Sequence, residues 1–228
     1  NSMLKKIAEV FALSLMLILT TGASSGAEES ISIGMQLEPP NLNPTSGAAA
    51  AIDEVVYANL FEGLTRFQSD GSVVPALAKS WIISDDNLKY TFNLNDQVRF
   101  HDGKMLTAKD VKFSLDRARS QDSTNAQKTL FADINTVEIV DPLTVIIKLN
   151  VPNGNFIANM AWGDAIIVSE NSIANAETVP VGTGPFKFSK WVKGDRVELV
   201  KSDTYWGNEI SLDKAIFKFI SDPTAAFA

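Results

Sequence analysis

The sequence contains no cysteine. Disulfides, thiolate nucleophiles, thiolate metal sites and a lipid anchor carried on an N-terminal cysteine are thereby excluded, so the reading is of a protein that is not a lipoprotein. There is a single histidine, His101. A multi-histidine zinc centre is excluded, and an all-oxygen ion site stays open. Positive charge is scarce: 20 Lys and Arg stand against 27 Asp and Glu, a net charge of −7. The basic footprint of a nucleic-acid binder is missing. Long apolar runs are missing too. The longest, Val10 to Leu19, falls short of the ~20 residues that a bilayer-spanning helix needs. No internal repeat and no coiled-coil pattern appears.

What is present is ordinary globular material. The 228 residues are 45% hydrophobic and 21% charged, and 13 Phe, 4 Trp and 3 Tyr can supply a sizeable core. That suffices for one large domain or two small ones. Lys5 and Lys6, the apolar run, and then TTGASSGAEES follow the order of a secretory signal peptide. The spacing of Ser25 and Ala27 predicts cleavage after Ala27, with cleavage after Ala23 as the alternative. Removing residues 1–27 leaves a net charge of −8. Met3 is the expected start. The ending, SDPTAAFA, has no helix cap and no terminal element, and predicts a chain that stops within a domain.

Ser30 to Met35 alternates and predicts a strand, followed by the proline-rich, irregular loop LEPPNLNPTSG. Ile52, Val55, Val56, Asn59 and Leu60, after Ala48 to Ala51, predict a helix that Gly63 ends. Leu88 to Leu94 alternates, and with Val98 and Phe100 predicts a hairpin; Asp102-Gly103 supplies the next turn. Thr107 and Asp110 resemble a capping box that opens a helix with Val111, Leu115 and Ala118 inward. Hairpins are predicted for Asn135 to Val140 with Val145 to Leu149, and for Phe186 to Trp191 with Arg196 to Val200. Ala215 to Ile220 predicts a last strand. The class is mixed α/β.

Catalytic signatures are weak. His101 lies in FHDGK and reads as a turn residue bonded within its own loop; with Asp102 alone it makes a poor metal site. VGTGPFKF has neither Walker spacing nor the third glycine of a dinucleotide loop. Gly182 and Gly184 read instead as a backbone crossing between domains. Trp81, Trp191 and Trp206 read as core. Trp162, in NMAWGDAI, stands where an aromatic can line a pocket.

An ordered series of segments carries more: ALAKSW (76–81), LKYTF (88–92), VRFHDGKMLTAKDVKFSLDRA (98–118), VGTGPFKF (181–188), YWGNEISLDKAIFKFI (205–220) and DPTAAFA. This series resembles the extracytoplasmic solute-binding proteins of the peptide and nickel class of ABC importers, bacterial family 5. The resemblance implies a periplasmic-binding-protein-like two-lobe fold of class II, with an extra subdomain. It implies that residues 28–50 and 178–228 belong to the first lobe's sheet and 51–177 to the inserted subdomain. The second lobe is expected to be absent from this chain, and with it the family's usual acidic partner for a peptide amino terminus.

By the same resemblance Glu38, Pro39 and Asn41 of EPPNLNP lie near solute, as do Tyr57 and Asn59, and Trp162 and Asp164. The nickel-binding branch can use an arginine in the last of these segments; here it reads AWGD. The implied function is capture of a peptide or similar small organic solute for delivery to a membrane permease, without catalysis, metal or cofactor. The implied protein is exported to the periplasm or extracytoplasmic space and monomeric when complete. The alternatives are an exported hydrolase acting on an oligomeric substrate, with His101 as the only histidine base, and nickel-chelate binding by the same fold. A scaffold protein would instead expose an apolar patch and lack an enclosed cleft.

Overall fold

The structure, a computed structural model, describes residues 28–220. The signal-peptide reading and the ending at residues 221–228 lie outside the described residues. In chain order the elements are β1 (Ser30–Met35), α1 (Ala50–Val56), β2 (Thr65–Phe67), β3 (Val73–Pro75), β4 (Ala78–Ile83), β5 (Lys89–Leu94), α2 (Ala108–Arg119), β6 (Ile134–Asp141), β7 (Thr144–Leu149), α3 (Phe156–Asn159), β8 (Phe186–Val192), β9 (Arg196–Lys201) and β10 (Lys214–Phe219).

Two sheets carry two hydrophobic cores. The first has the order β1-β10-β9-β8, with β1 parallel to β10 and the others antiparallel. Its inward residues Val197, Leu199, Ala215 and Phe217 pack on Ile52, Val55 and Val56 of α1. The second sheet is β4-β5-β7-β6, antiparallel throughout. Tyr90, Phe92 and Leu94 alternate inward from β5, and Val145, Ile147 and Leu149 from β7. They meet Val111, Leu115 and Ala118 of α2. Asp110 Oδ2 accepts the N–H of Thr107 at 2.8 Å and so satisfies a donor at the start of α2.

The structure departs from the periodicity-based reading at three places. β5 does not pair with Val98 and Phe100; its neighbours are β4 and β7. Val98 and Phe100 are buried in an irregular segment, where the Asp102-Gly103 turn closes an Arg99–Met105 bridge. Second, β4 has no apolar/polar alternation, because as an edge strand it leaves Ile82 67% exposed. Third, α1 stops at Val56. Tyr57 is extended and Ala58 has φ +56°, so Asn59 and Leu60 turn back instead of continuing the helix. Apart from these, α1 packs in the core of the first sheet, although residues 51–177 are expected by resemblance in the inserted subdomain.

The two cores are joined by the segment from Val181 to Phe186. Gly184 N–H donates to Leu60 O at 2.9 Å, and Phe186 N–H to Asn59 O at 3.0 Å. A Cβ on Gly182 would lie 1.9 Å from Leu60 O, and one on Gly184 2.3 Å from Asn59 O. Neither glycine has a positive φ; bulk alone excludes a side chain. On the other side of the segment stands His101. Its N–H donates to Gly182 O at 2.9 Å, and its Nδ1 accepts Gly182 N–H at 3.2 Å. That fixes the proton on Nε2, which donates to Gly184 O at 2.9 Å. The imidazole thus bonds a segment some 80 residues away rather than its own loop.

Two predictions follow from this junction. Gly182→Ala should lower stability by about 3 kcal/mol or more in urea unfolding, because the neighbour to be displaced is backbone. Burial holds the His101 pKa below its usual value. The unfolded chain therefore binds the proton more readily. The neutral clasp contributes its stability above pH ~6.5 and loses it as pH falls below that value. The stability difference between the native chain and His101→Gln should shrink from pH 7 to pH 5. A difference independent of pH would refute the clasp.

Candidate functional site

Three of the seven predicted solute-facing residues come together. The Tyr57 hydroxyl, one residue past α1, donates to Ala161 O at 2.7 Å. The next residue, Trp162, is 49% exposed and meets the Phe67 ring edge-on, 5.9 Å between centroids at 86°. Asp164 follows in a short 3-10 turn, Gly163–Ala165. Asn125 Nδ2 donates to Asp164 O at 2.9 Å, and the N–H of Val168 donates to Ser114 Oγ of α2 at 2.9 Å. The segment that carries Trp162 and Asp164 is therefore pinned from the second core, while Tyr57 holds it from the first.

The fourth member, Asp53, is one that the sequence reading missed. It lies on α1, four residues before Tyr57 and on the same face. A Cβ on Gly163 would sit 2.8 Å from Asp53 Oδ1, so only glycine lets the turn approach this carboxylate. Asp53 Oδ1 is buried and has no hydrogen-bond partner among the described residues. Burial raises the pKa of Asp53. Asp164 is pushed up to about 6, first by burial and then by the charge of Asp53. Two desolvated carboxyls beside a half-exposed indole form an anionic, partly apolar patch. It can accept hydrogen bonds from a cationic group and lay an apolar chain on Trp162.

The other four expected residues are placed elsewhere. The Glu38 carboxylate is occupied: Oε1 accepts Trp191 Nε1–H at 2.8 Å, and both oxygens accept Gly194 N–H at 3.0 Å. Lys193 lies 2.9 Å above the Trp191 ring. Glu38 thus ties the proline loop to the β8–β9 turn. Pro39 is buried. Asn41 accepts Asn43 N–H at 2.8 Å and shapes the loop from within. Asn59 donates to Val55 O at 2.9 Å and faces a groove with Ile31, Ile33 and Phe217 instead of Trp162. Among the described residues no group of three or more His, Cys, Asp or Glu is arranged to hold a metal ion.

Residues 72–228 match the family model for bacterial extracellular solute-binding proteins, family 5, middle region. The chain belongs to this family. It is 36% identical over 160 residues to the glutathione-binding protein GsiB of Pectobacterium atrosepticum, covering 68% of this chain and 31% of that protein. It is 33% identical over 226 residues to a putative ABC transporter peptide-binding protein of Brucella ovis, covering 92% of this chain and 42% of that one. Among solved structures it is similar to the A. tumefaciens R10 protein AgaA in complex with agropinic acid, with 30% identity and a TM-score of 0.82 over 87% of this chain and 41% of that one. It is also similar to NikZ of Campylobacter jejuni in complex with Ni(L-His), at 33% identity and a TM-score of 0.78, covering 87% of this chain and 40% of NikZ. The fold is the mixed α/β, periplasmic-binding-protein-like architecture of these relatives. The chain spans less than half the length of the relatives it matches.

The carboxyl pair yields a prediction of its own. Asp164 keeps its proton more firmly in the fold than in the unfolded chain, so between pH ~4 and ~6 its contribution to stability falls as pH rises. In Asp53→Asn the repelling charge is gone, and the Asp164 pKa should move down from about 6 toward the ordinary carboxylate range. Carboxyl carbon NMR titration reads this directly. An unchanged Asp164 titration would mean that the two groups do not interact.

Proposed function

We propose that this chain belongs to the extracytoplasmic substrate-binding component of an ABC importer, and that the solute it takes is a peptide or similar organic molecule with an amino group. The observation that carries the solute class is the unpartnered, buried Asp53 oxygen beside Asp164 and the half-exposed Trp162. An ammonium would supply the missing donors, and Trp162 would cover the adjoining apolar part. In this reading the first sheet with α1 is the sheet of the first lobe, the second sheet is the inserted subdomain, and the patch is part of a cleft. Capture is reversible enclosure: the solute favours a closed form, and a membrane permease recognises that form. The complete protein acts as a monomer outside the cytoplasm.

The alternatives fit less well. Both ring nitrogens of His101 are bonded to the 182–184 segment, so the only histidine offers no base to a hydrolase. The AWGD segment lacks the arginine implied for a nickel chelate. Tri-alanine and N-acetyl-tri-alanine are suitable probes for calorimetric titration. Acetylation should weaken binding at least about tenfold, and so should Asp164→Asn, because each removes one side of a charge-assisted hydrogen bond. Equal affinity for both probes would overturn the amino-group reading.

A further inference from the structure

A second concavity lies at the seam of the two cores, apart from Asp53, Trp162 and Asp164. It is a groove of about 480 Å³. One wall is the loop before β10, with Tyr205, Trp206 and Ile210; another comes from β2 to β4, with Arg66, Pro75 and Lys79. The volume is that of a small-molecule site rather than of a single water.

Its charge runs against that of the whole chain. The charged residues of the lining are Glu62, Arg66 and Lys79. Glu62 is 8% exposed and already satisfied. Oε1 accepts Thr183 Oγ1–H and Trp206 Nε1–H, both at 2.9 Å, and Oε2 accepts the Tyr205 hydroxyl at 3.0 Å. Its charge is met by these three donors, so the lining sets two cations against one occupied carboxylate. Arg66 and Lys79 are exposed, and among the described residues neither forms an ion pair. The groove is therefore a positive enclave in a chain of net charge −7. The arrangement of Glu62 also fixes the aromatic wall: the bonds from Tyr205 and Trp206 hold both side chains, and the Tyr205 ring folds over Gly207, where a Cβ would be 2.5 Å from it. A pre-set aromatic wall with two unpaired cations suits a ligand with an apolar body and one anionic head.

We propose that this groove is a second ligand site, which takes a small organic carboxylate with an aromatic or aliphatic body. The carboxylate meets Arg66 and Lys79, and the body lies against Trp206, Pro75 and Ile210. Tyr57 lines the same groove and holds Ala161 beside Trp162. Occupancy here therefore bears on the residue that positions the solute patch.

Calorimetric titration of the full chain with benzoate, benzyl alcohol and inorganic phosphate tests the site. Benzoate should bind at least about tenfold more tightly than benzyl alcohol, which has the same ring and no charge, and more tightly than phosphate, which has charge and no ring. Arg66→Gln and Lys79→Gln should each weaken benzoate by about tenfold. Benzyl alcohol binding as well as benzoate would remove the role of the cations. Phosphate binding as well would leave an anion site with no organic specificity. Loss of benzoate binding in Trp162→Ala but not in Arg66→Gln would place the probe at the other patch, and absence of benzoate binding would end the proposal. The probe comparison on the unaltered chain keeps the outcome decisive even if a variant folds poorly.

Discussion

The close passage of Gly182 and Gly184 against the carbonyls of Leu60 and Asn59 is the constraint on which the rest depends. Each sheet builds its own core from its own alternating residues, and nothing in that alternation sets one sheet against the other. The 181–186 segment does. Val181 packs with the core of the second sheet and Phe186 with that of the first. Between them the backbone is clamped by Leu60 and Asn59 on one side and His101 on the other. Thr183, in the middle, donates to Glu62 at 2.9 Å and so links the clamp to the wall of the groove. Hydrogen bonds of this kind are each worth only about 1 kcal/mol net. Their effect here is geometric: three chain segments share one register.

The patch of Asp53, Tyr57, Trp162 and Asp164 inherits that register. Asp53 lies on the helix of the first core and Tyr57 just past its end, while Trp162 and Asp164 follow α3 at the edge of the second. Ile167 N–H donates to Glu62 O at 2.9 Å, and Gly63 bridges Ile166, so the segment after Asp164 is tied to the chain just past α1. The carboxyls are close enough to interact because both of their supports are fixed. A one-residue shift of either support would separate them. The raised titration of Asp164 is thus a consequence of tertiary placement and not of its local sequence.

This division explains what was legible in the sequence. β7, β9, β10 and α2 were readable, because each has one buried face and a period that shows it; β1, β6 and β8 were readable from the sequence pattern alone, and in β1 only Met35 is buried. The capping pair Thr107 and Asp110 was readable for the same local reason. β4 was not, since an edge strand with Ile82 and Ile83 in sequence shows no alternation. The partner of β5 was not, because pairing with β7 spans more than 50 residues and the nearby Val98 and Phe100 offered an apolar match that burial without strand pairing satisfies equally well. In the site, Trp162 and Asp164 were marked by family resemblance. Asp53 carried only a weak local signal, an acid at i to Tyr57 at i+4 on a helix whose other face is apolar. Glu38 had the right chemistry for solute and is consumed by Trp191 and Gly194, partners more than 150 residues away.

The contrast between Glu62 and Asp53 shows where the fold leaves room for something else. Asp53 lies on α1 and Glu62 a few residues past it, and both are desolvated. Glu62 is given three neutral donors by residues from two distant segments. A buried carboxylate with that shell is a finished structural element. Asp53 Oδ1 is the one buried side-chain nitrogen or oxygen among the described residues with no partner at all. Leaving such an atom unpaired costs about 1–3 kcal/mol, and more if it is charged. Packing a glycine against it and a second acid near it increases that cost. A sequence that resolves the difficulty at Glu62 and leaves it unresolved at Asp53 violates its own rule at one point only. Such isolated violations are expected at functional sites, where the compensating group arrives from outside the chain. The patch is therefore an incomplete hydrogen-bond shell held in place by the glycine crossing, which on the proposed reading a cationic solute group would close.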